Sequence, residues 1–439
     1  MGRAAQDLGG WLEPFLAALG HKKRRTWAPL YLRGLLGPSA RKSLQPMSAC
    51  LGLSGHDRLQ RFIASPAWDD APLWRVLAGR ADRLVGGPDA VLVIDDTALP
   101  KKGALSVGVE RQYCGQPGKQ ANCQALVSLT LAGDGVPVPV ALRLFLPERW
   151  TADPARCAAA GVPEAEMVAR SKGEIALAEL DRLIAAGVRF GLALADAGYG
   201  ASAAFRHGLD ERGLAWAVGI PRNQKVYGTD VRLVPPGGRK RRPVPDQEPR
   251  EAETVLAGLP WRRVTWRHGT KGPLAARFAA ARIRVGDGGT WANNRHLPGE
   301  AAWLVGEWRT SGERKYYLSN LPPQTSLRAL AAAIKARWVC EQGHQQLKGE
   351  LGLGHFEGRS WTGLHRHALM TCMAFAYLQH LRLAGQRSTG SGKNAAPRSG
   401  SATIAEPAGR APRHHGAPVR GPRHADPMPA LQTQTQAAA

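Results

Sequence analysis

A chain of 439 residues is long enough for two or three domains and a substantial buried core. Its 59 lysines and arginines against 35 acids leave a formal charge of +24, a field that favours a polyanionic partner, nucleic acid above all. Six scattered cysteines (Cys50, Cys114, Cys123, Cys157, Cys340, Cys372) show no Cys-x-x-Cys spacing, which speaks against a zinc ribbon and for buried thiols in a reducing compartment. The first residues lack the apolar core of a signal peptide, and the apolar run from Ala368 to Leu378 is too short to span a bilayer. A soluble cytoplasmic protein is expected, with no membrane partner.

Residues 1–85 read as a helical region. Apolar residues recur at helical spacing in Leu12, Phe15, Leu16 and Leu19, and again in Leu59, Phe62 and Ile63. The basic cluster from His21 to Arg25 lies between helices and fits either phosphate contacts or a solvated charge run at a helix end. DNA binding is a candidate role for this region, but nothing in it fixes a helix-turn-helix.

Residues 86–220 change to mixed α/β order. The run Val91-Leu-Val-Ile-Asp95-Asp96-Thr97 is an apolar strand closing on two acids. Arg111 to Cys114 is ambiguous between states. Strands over 125–131 and 136–146 flank Gly133-Asp-Gly135, a strong hairpin signal. An amphipathic helix over 164–186 should end at Gly187. A strand over 190–196 follows, closing on Asp196, then a helix over 201–212 and a strand over 215–220. Strand, hairpin, helix, strand, helix, strand is the order of an α/β RNase H-like domain.

Residues 221–322 read as a β-rich insertion. It opens with an exposed basic loop around Arg239-Lys-Arg-Arg242 and continues with short alternating runs at 261–266 and 301–305. Helical periodicity returns over 323–384 and would complete the catalytic core. From 385 to 439 the sequence holds almost no large apolar residue and should be a disordered tail.

Asp95, Asp96 and Asp196 close strands of an α/β sheet, where functional sites are usually built. A single aspartate there is most simply a helix cap or turn former. Together with Glu341 on a later helix, however, Asp95 and Asp196 make a candidate metal set, with Asp96 the alternate first acid. A hard divalent ion takes oxygen ligands, and a pair of such ions activates an attacking oxygen while stabilising the leaving one. Arg337, Glu341 and Lys348 share one helix face. As a surface ladder they would contribute only a few tenths of a kcal/mol. Beside a metal set, the two bases would grip phosphates on either side of the scissile bond. His355, Glu357, His365 and His367 lack metal-ligand spacing.

From about residue 55 to 383 the chain resembles bacterial insertion-sequence transposases of the DDE type, in the branch marked by Tyr-x2-Arg-x3-Glu-x6-Lys. Arg337, Glu341 and Lys348 match that spacing, while Ile334 stands at the tyrosine position. Asp95-Asp96-Thr97 matches the first-acid motif, Asp-x-Ser/Thr, and Asp196 the second acid. The resemblance implies a retroviral-integrase-like core with a β-rich insertion. It also implies Mg2+, with Mn2+ able to substitute, held by Asp95, Asp196 and Glu341. The implied partner is double-stranded DNA, both element ends and target, bound by a homodimer or higher assembly at the nucleoid. The activity would be hydrolysis at element ends and joining of the freed 3′-OH to target DNA. Lys101, Lys102 and Arg111 would touch the DNA backbone near the first acid, or form a basic loop without contacts. Two alternatives are a metal-dependent nuclease without strand transfer and a catalytically silent DNA-binding protein of the same descent. The presence of all three acids and both bases argues against decay.

Overall fold

Helical spacing of apolar residues at the start of the chain gives five helices: α1 (Gly2–Leu19), α2 (Lys22–Leu36), α3 (Leu44–Cys50), α4 (Asp57–Ala64) and α5 (Ala71–Val85). The structure is a computed structural model and describes residues 2–114, 118–235, 243–269, 272–292 and 295–390. The described residues belong to one compact unit, Met1–Ala402. Trp11, Phe15, Tyr31, Leu32, Trp74 and Leu77 are buried and share a core with a long helix near the other end of the chain, Trp361–Gly390. The Tyr31 hydroxyl meets His367 Nδ1 of that helix at 2.8 Å. Arg366 donates to the carbonyls of Ser65 and Trp68 and lies 3.9 Å over the Trp68 ring.

The central sheet follows from four apolar runs and a tight turn. β1 (Val91–Pro100), β2 (Glu110–Cys114), β3 (Lys119–Gly133) and β4 (Val136–Leu144) are antiparallel neighbours through β3. Asp134 and Gly135 carry φ of 50° and 74° in the two-residue turn between β3 and β4, the conformation that a hairpin of this length prefers. The ambiguous segment at 111–114 is therefore a strand, paired with the first part of β3. Next come α6 (Lys172–Ala185), β5 (Leu192–Ala195), α7 (Ala203–Glu211) and β6 (Trp216–Ile220). β1, β5 and β6 run parallel, and β3 is antiparallel to β1, giving the order β4-β3-β1-β5-β6. This is a mixed α/β sheet of RNase H-like order.

Helix α6 starts later than its periodicity suggests. Ser171 accepts from the Glu174 N–H, and the Glu174 carboxylate accepts from the Ser171 N–H at 2.7 Å. That reciprocal cap starts the helix at Lys172, leaving only a single 3-10 turn at Glu164–Glu166.

The insertion continues the sheet rather than interrupting it. β7 (Lys225–Tyr227), β8 (Arg262–Gly269), β9 (Gly272–Ala292), β10 (Arg295–Trp308) and β11 (Arg314–Ser319) join through β11, which pairs antiparallel with β6 from Tyr316↔Ile220 to Ser319↔Ala217. β10 then lies on β11, β9 on β10, and β7 and β8 on β9, within one twelve-stranded sheet. The basic run 239–242 lies outside the described residues.

The helical region expected after 326 forms three helices with two breaks between them: α8 (Leu327–Lys335), α9 (Trp338–Gly349) and α10 (Trp361–Gly390). The second break contains Gly352 at φ +67°, where an added Cβ would sit 2.4 Å from Lys42 Cβ, so only glycine suits the turn. α10 runs through residue 390, past the position where a disordered tail was expected to begin; residues 391–439 lie outside the described residues. Among the described residues no helix is long and apolar enough to cross a membrane.

Candidate active site

The parallel ladder between β1 and β5 runs from Val91↔Leu192 to Ile94↔Ala195. Asp95 and Asp196 are the next residue on each strand, so two adjacent strands deliver their acids side by side at the carboxyl edge of the ladder. β1 itself does not end there; it continues along β3 to Pro100. Strand alternation then sends Asp95 and Asp96 to opposite faces. Asp95 is buried and faces α9, while Asp96 accepts from the Tyr199 hydroxyl and from Lys172 Nζ on the other side. The Asp96 backbone N–H donates to Asp95 Oδ1 at 2.9 Å. Of the two acids the sequence left open, only Asp95 shares a face with the later helix.

Arg337 sits at the N-cap of α9 and joins acids that are far apart in the chain. Its Nη1 donates to Asp95 Oδ2 at 2.7 Å and its Nη2 to Glu341 Oε1 at 2.9 Å. Asp95, Glu341 and Asp196 together hold the Arg337 guanidinium above its ordinary value, against the effect of burial. The Glu341 side chain is 65% exposed in the first turn of α9, where the helix dipole favours a negative charge. Asp196 caps the short helix Ala197–Gly200, accepting from the Gly198 N–H at 2.9 Å. The cap and the cleft are thus compatible roles for one side chain. Gly200 seats this loop on β6: an added Cβ there would lie 2.1 Å from the Gly219 carbonyl oxygen.

Burial lifts Asp95 to about 6, with Arg337 pulling down and Asp196 pushing up. Burial also lowers the half-buried Lys348 amine, which Asp95 and Cys114 partly restore. Arg337 and Glu341 are thus in contact at the acids, while Lys348, two turns further along α9, acts on Asp95 only through its charge.

Asp196, Arg337 and Glu341 open into a cleft of about 440 Å³, which Trp338 also lines. Its far wall comes from the insertion, with Arg309, Arg314 and Lys315 among the lining residues. The buried Glu307 anchors that wall, accepting from Tyr317 Oη at 2.9 Å, Lys335 Nζ at 2.7 Å and Arg309 Nε at 3.3 Å. Sequence reasoning missed this group. Its only trace was the pair of bases followed by a pair of tyrosines in Arg314-Lys-Tyr-Tyr317, whose importance depends on β11 pairing with β6. Ile334, at the expected tyrosine position, is buried in an apolar cluster at the cleft edge, and Tyr317 supplies a hydroxyl-bearing ring from a different element.

The other basic candidates separate. Lys101 Nζ donates to the Phe356 carbonyl at 2.7 Å, and burial pushes its amine down to about 8. Lys102 and Arg111 are exposed. His355 accepts from the Lys42 N–H at 3.0 Å, while His367 bridges Tyr31 and the Gly352 carbonyl. Both histidines meet at the Gly352 carbonyl, where they serve the packing of that turn.

Arg337 joins the carboxylates of Asp95 and Glu341, and the Asp196 carboxylate lines the cleft with Arg337 and Glu341. The donors of these acids are all oxygen, the chemistry that suits Mg2+ or Mn2+, and the cations on the cleft wall suit a phosphodiester.

A family model described as DDE superfamily endonuclease matches residues 14–273. The matched range includes Asp95 and Asp196. The chain is 30% identical over 196 residues to a probable transposase for insertion sequence element IS701 of Microchaete diplosiphon, an overlap of 44% of this chain and 48% of that one. It thus spans about half the length of that curated relative. Among solved structures, a piggyBac transposase synaptic complex with hairpin DNA aligns with a TM-score of 0.41 and 10% identity, covering 83% of this chain and 66% of the other. With more than half of its length matched by the family model, the chain belongs to the DDE superfamily endonucleases.

Proposed function

We propose that this endonuclease is an insertion-sequence transposase that hydrolyses phosphodiester bonds at element ends and joins the freed 3′-OH to target DNA. The observation that carries the reading is the bridge by Arg337 between Asp95 and Glu341, at the edge of a cationic cleft lined by Asp196, Arg337 and Glu341. Asp95, Asp196 and Glu341 are the residues that would hold Mg2+, with Mn2+ as a substitute. Divalent ions bound by such a set supply Lewis acidity and a nucleophile at neutral pH.

The chain's own residues do the positioning. Asp95 is held by the sheet, by Arg337 and by the Asp96 N–H, so its carboxylate has little freedom to lose on binding a cation. Asp96, locked by Tyr199 and Lys172, is a positioning residue rather than a ligand. Arg337 presents a planar fork that suits two phosphate oxygens once the carboxylates are occupied. Lys348 adds a second positive charge beside the first acid. Arg309, Arg314 and Lys315 give the DNA backbone a track along the insertion, and exposed Lys102 and Arg111 extend it near the first acid. Pairing of two element ends calls for a homodimer or higher assembly on double-stranded DNA.

Glu341→Gln tests this reading. Cleavage of a terminal-repeat substrate and joining of a pre-cut end should both disappear while binding of that DNA persists. Unchanged cleavage would overturn the assignment of Glu341, and cleavage without joining in the wild-type chain would make the protein a nuclease.

A further inference from the structure

Behind the carboxylate cleft, α9 turns a second set of donors toward Asp95. Cys340 and His344 are four residues apart, on the inward face of the helix. Cys340 Sγ lies 3.5 Å from His344 Nε2. A tetrahedral zinc ion, with sulfur at about 2.3 Å and nitrogen at about 2.0 Å, would separate those donors by about 3.5 Å. An oxygen of Asp95 completes the group: the three donor atoms all lie within 4.8 Å of one another. Both helix residues are buried, and β3 lines the same space. Ser128 Oγ is 2.8 Å from His344 Nε2, and Thr130 Oγ1 is 3.6 Å from Cys340 Sγ.

We propose that Asp95, Cys340 and His344 form a second cation site, for a borderline-soft divalent ion of the zinc class, which competes with the outer carboxylates for Asp95. One sulfur, one nitrogen and one oxygen are the donor types zinc accepts, and three protein ligands leave a position open. Mg2+ has no use for a thiol or an imidazole here, so the two sites differ in the ion they select. Binding converts the Cys340 thiol to thiolate, its proton passes to solvent, and His344 exchanges the Ser128 hydroxyl for the ion. Because Asp95 belongs to both sets, a zinc-class ion in the inner site withdraws a ligand from the outer one. Lys348 and Arg337, whose charges act on His344, oppose the incoming cation and moderate its affinity. No Cys-x-x-Cys pattern announces this site. Its sequence trace is Cys-x3-His on one helix, which gains meaning only when β1 brings Asp95 against it.

The inhibitory consequence rests on the proposed transposase reading; the binding does not. Full-length protein is titrated with Cd2+ as a spectroscopic substitute for Zn2+, following the thiolate-to-cadmium charge-transfer band. The wild-type chain should bind one equivalent more tightly than Cys340→Ser, with affinity for that equivalent falling about 10- to 100-fold or more in the variant. Excess Zn2+ should displace it and excess Mg2+ should not. His344→Gln gives the same comparison should Cys340→Ser fail to fold, with far-ultraviolet circular dichroism as the check. Equal Cd2+ binding by the wild type and both variants would overturn the site. In cleavage assays at fixed Mg2+, Cys340→Ser should remain active and resist Zn2+ inhibition. Equal inhibition of wild type and variant would overturn the competition. Cleavage that ignores Glu341→Gln would instead remove the transposase reading and leave the Cd2+ result standing.

Discussion

Replacing Asp95 by asparagine should inactivate the protein and stabilise it. Burial raises the Asp95 carboxyl from an ordinary 3.8 to about 6. A group raised on folding contributes stability that is fully present below its unfolded value and is lost as pH rises through the folded one. Here that loss begins near 4 and is complete above about 6. A tenfold change in protonation is worth about 1.4 kcal/mol, so keeping Asp95 ionised near pH 8 costs the fold about 3 kcal/mol. Asparagine keeps the shape and an acceptor for Arg337 but removes the charge. The pull of Arg337 is already contained in the value of about 6. Arg337 also retains Glu341, so the variant should be more stable near pH 8 by up to about 3 kcal/mol. Urea unfolding of both proteins in chelator, at about pH 5 and about pH 8, measures it, and the gap should widen by about 1.4 kcal/mol between those points. Histidine titration is common to both proteins and cancels in the comparison. A variant less stable than the wild type near pH 8, or a gap independent of pH, would refute the idea that Asp95 is held ionised against its burial.

The positioning role of Asp96 is checked by Tyr199→Phe, which removes a buried hydroxyl from that carboxylate and should cost about 1–2 kcal/mol. Cleavage should slow with DNA affinity unchanged; an unaltered rate would exclude the role. The basic candidates should divide by location. Lys102→Ala and Arg111→Ala should each weaken DNA binding and lower its salt slope by about one, whereas Lys101→Met should lower the melting temperature and leave the slope alone. Acid should unfold the protein partly through His367, which burial pushes down to about 4. Its contribution is present above the ordinary 6.5 and lost as pH falls through about 4, some ~3 kcal/mol in all. His367→Gln should therefore flatten the acid limb of stability against pH, and an unchanged limb would count against this account.

Local chemistry in the sequence determined a good deal. Asp134-Gly135 specified the β3–β4 hairpin because two adjacent positive-φ residues suit few other structures. The apolar runs before Asp95 and Asp196 marked neighbouring strands, and the spacing of Arg337, Glu341 and Lys348 placed them on one helix face. The start of α6 was also written locally, in Ser171 and Glu174, though periodicity alone put it too early. Other features were decided only by tertiary structure. Asp95 and Asp96 are equivalent as letters, and a strand assignment says only that they face opposite ways. Which face meets α9 depends on how α9 packs against the sheet. The insertion looked like an interruption because strand pairing is non-local; the register of β11 on β6 is what turns Arg314, Lys315 and Tyr317 into a wall of the cleft. The same holds for Cys340 and His344. A helix puts them on one face, but the third donor arrives from a strand at the other end of the domain, through packing that no local spacing encodes.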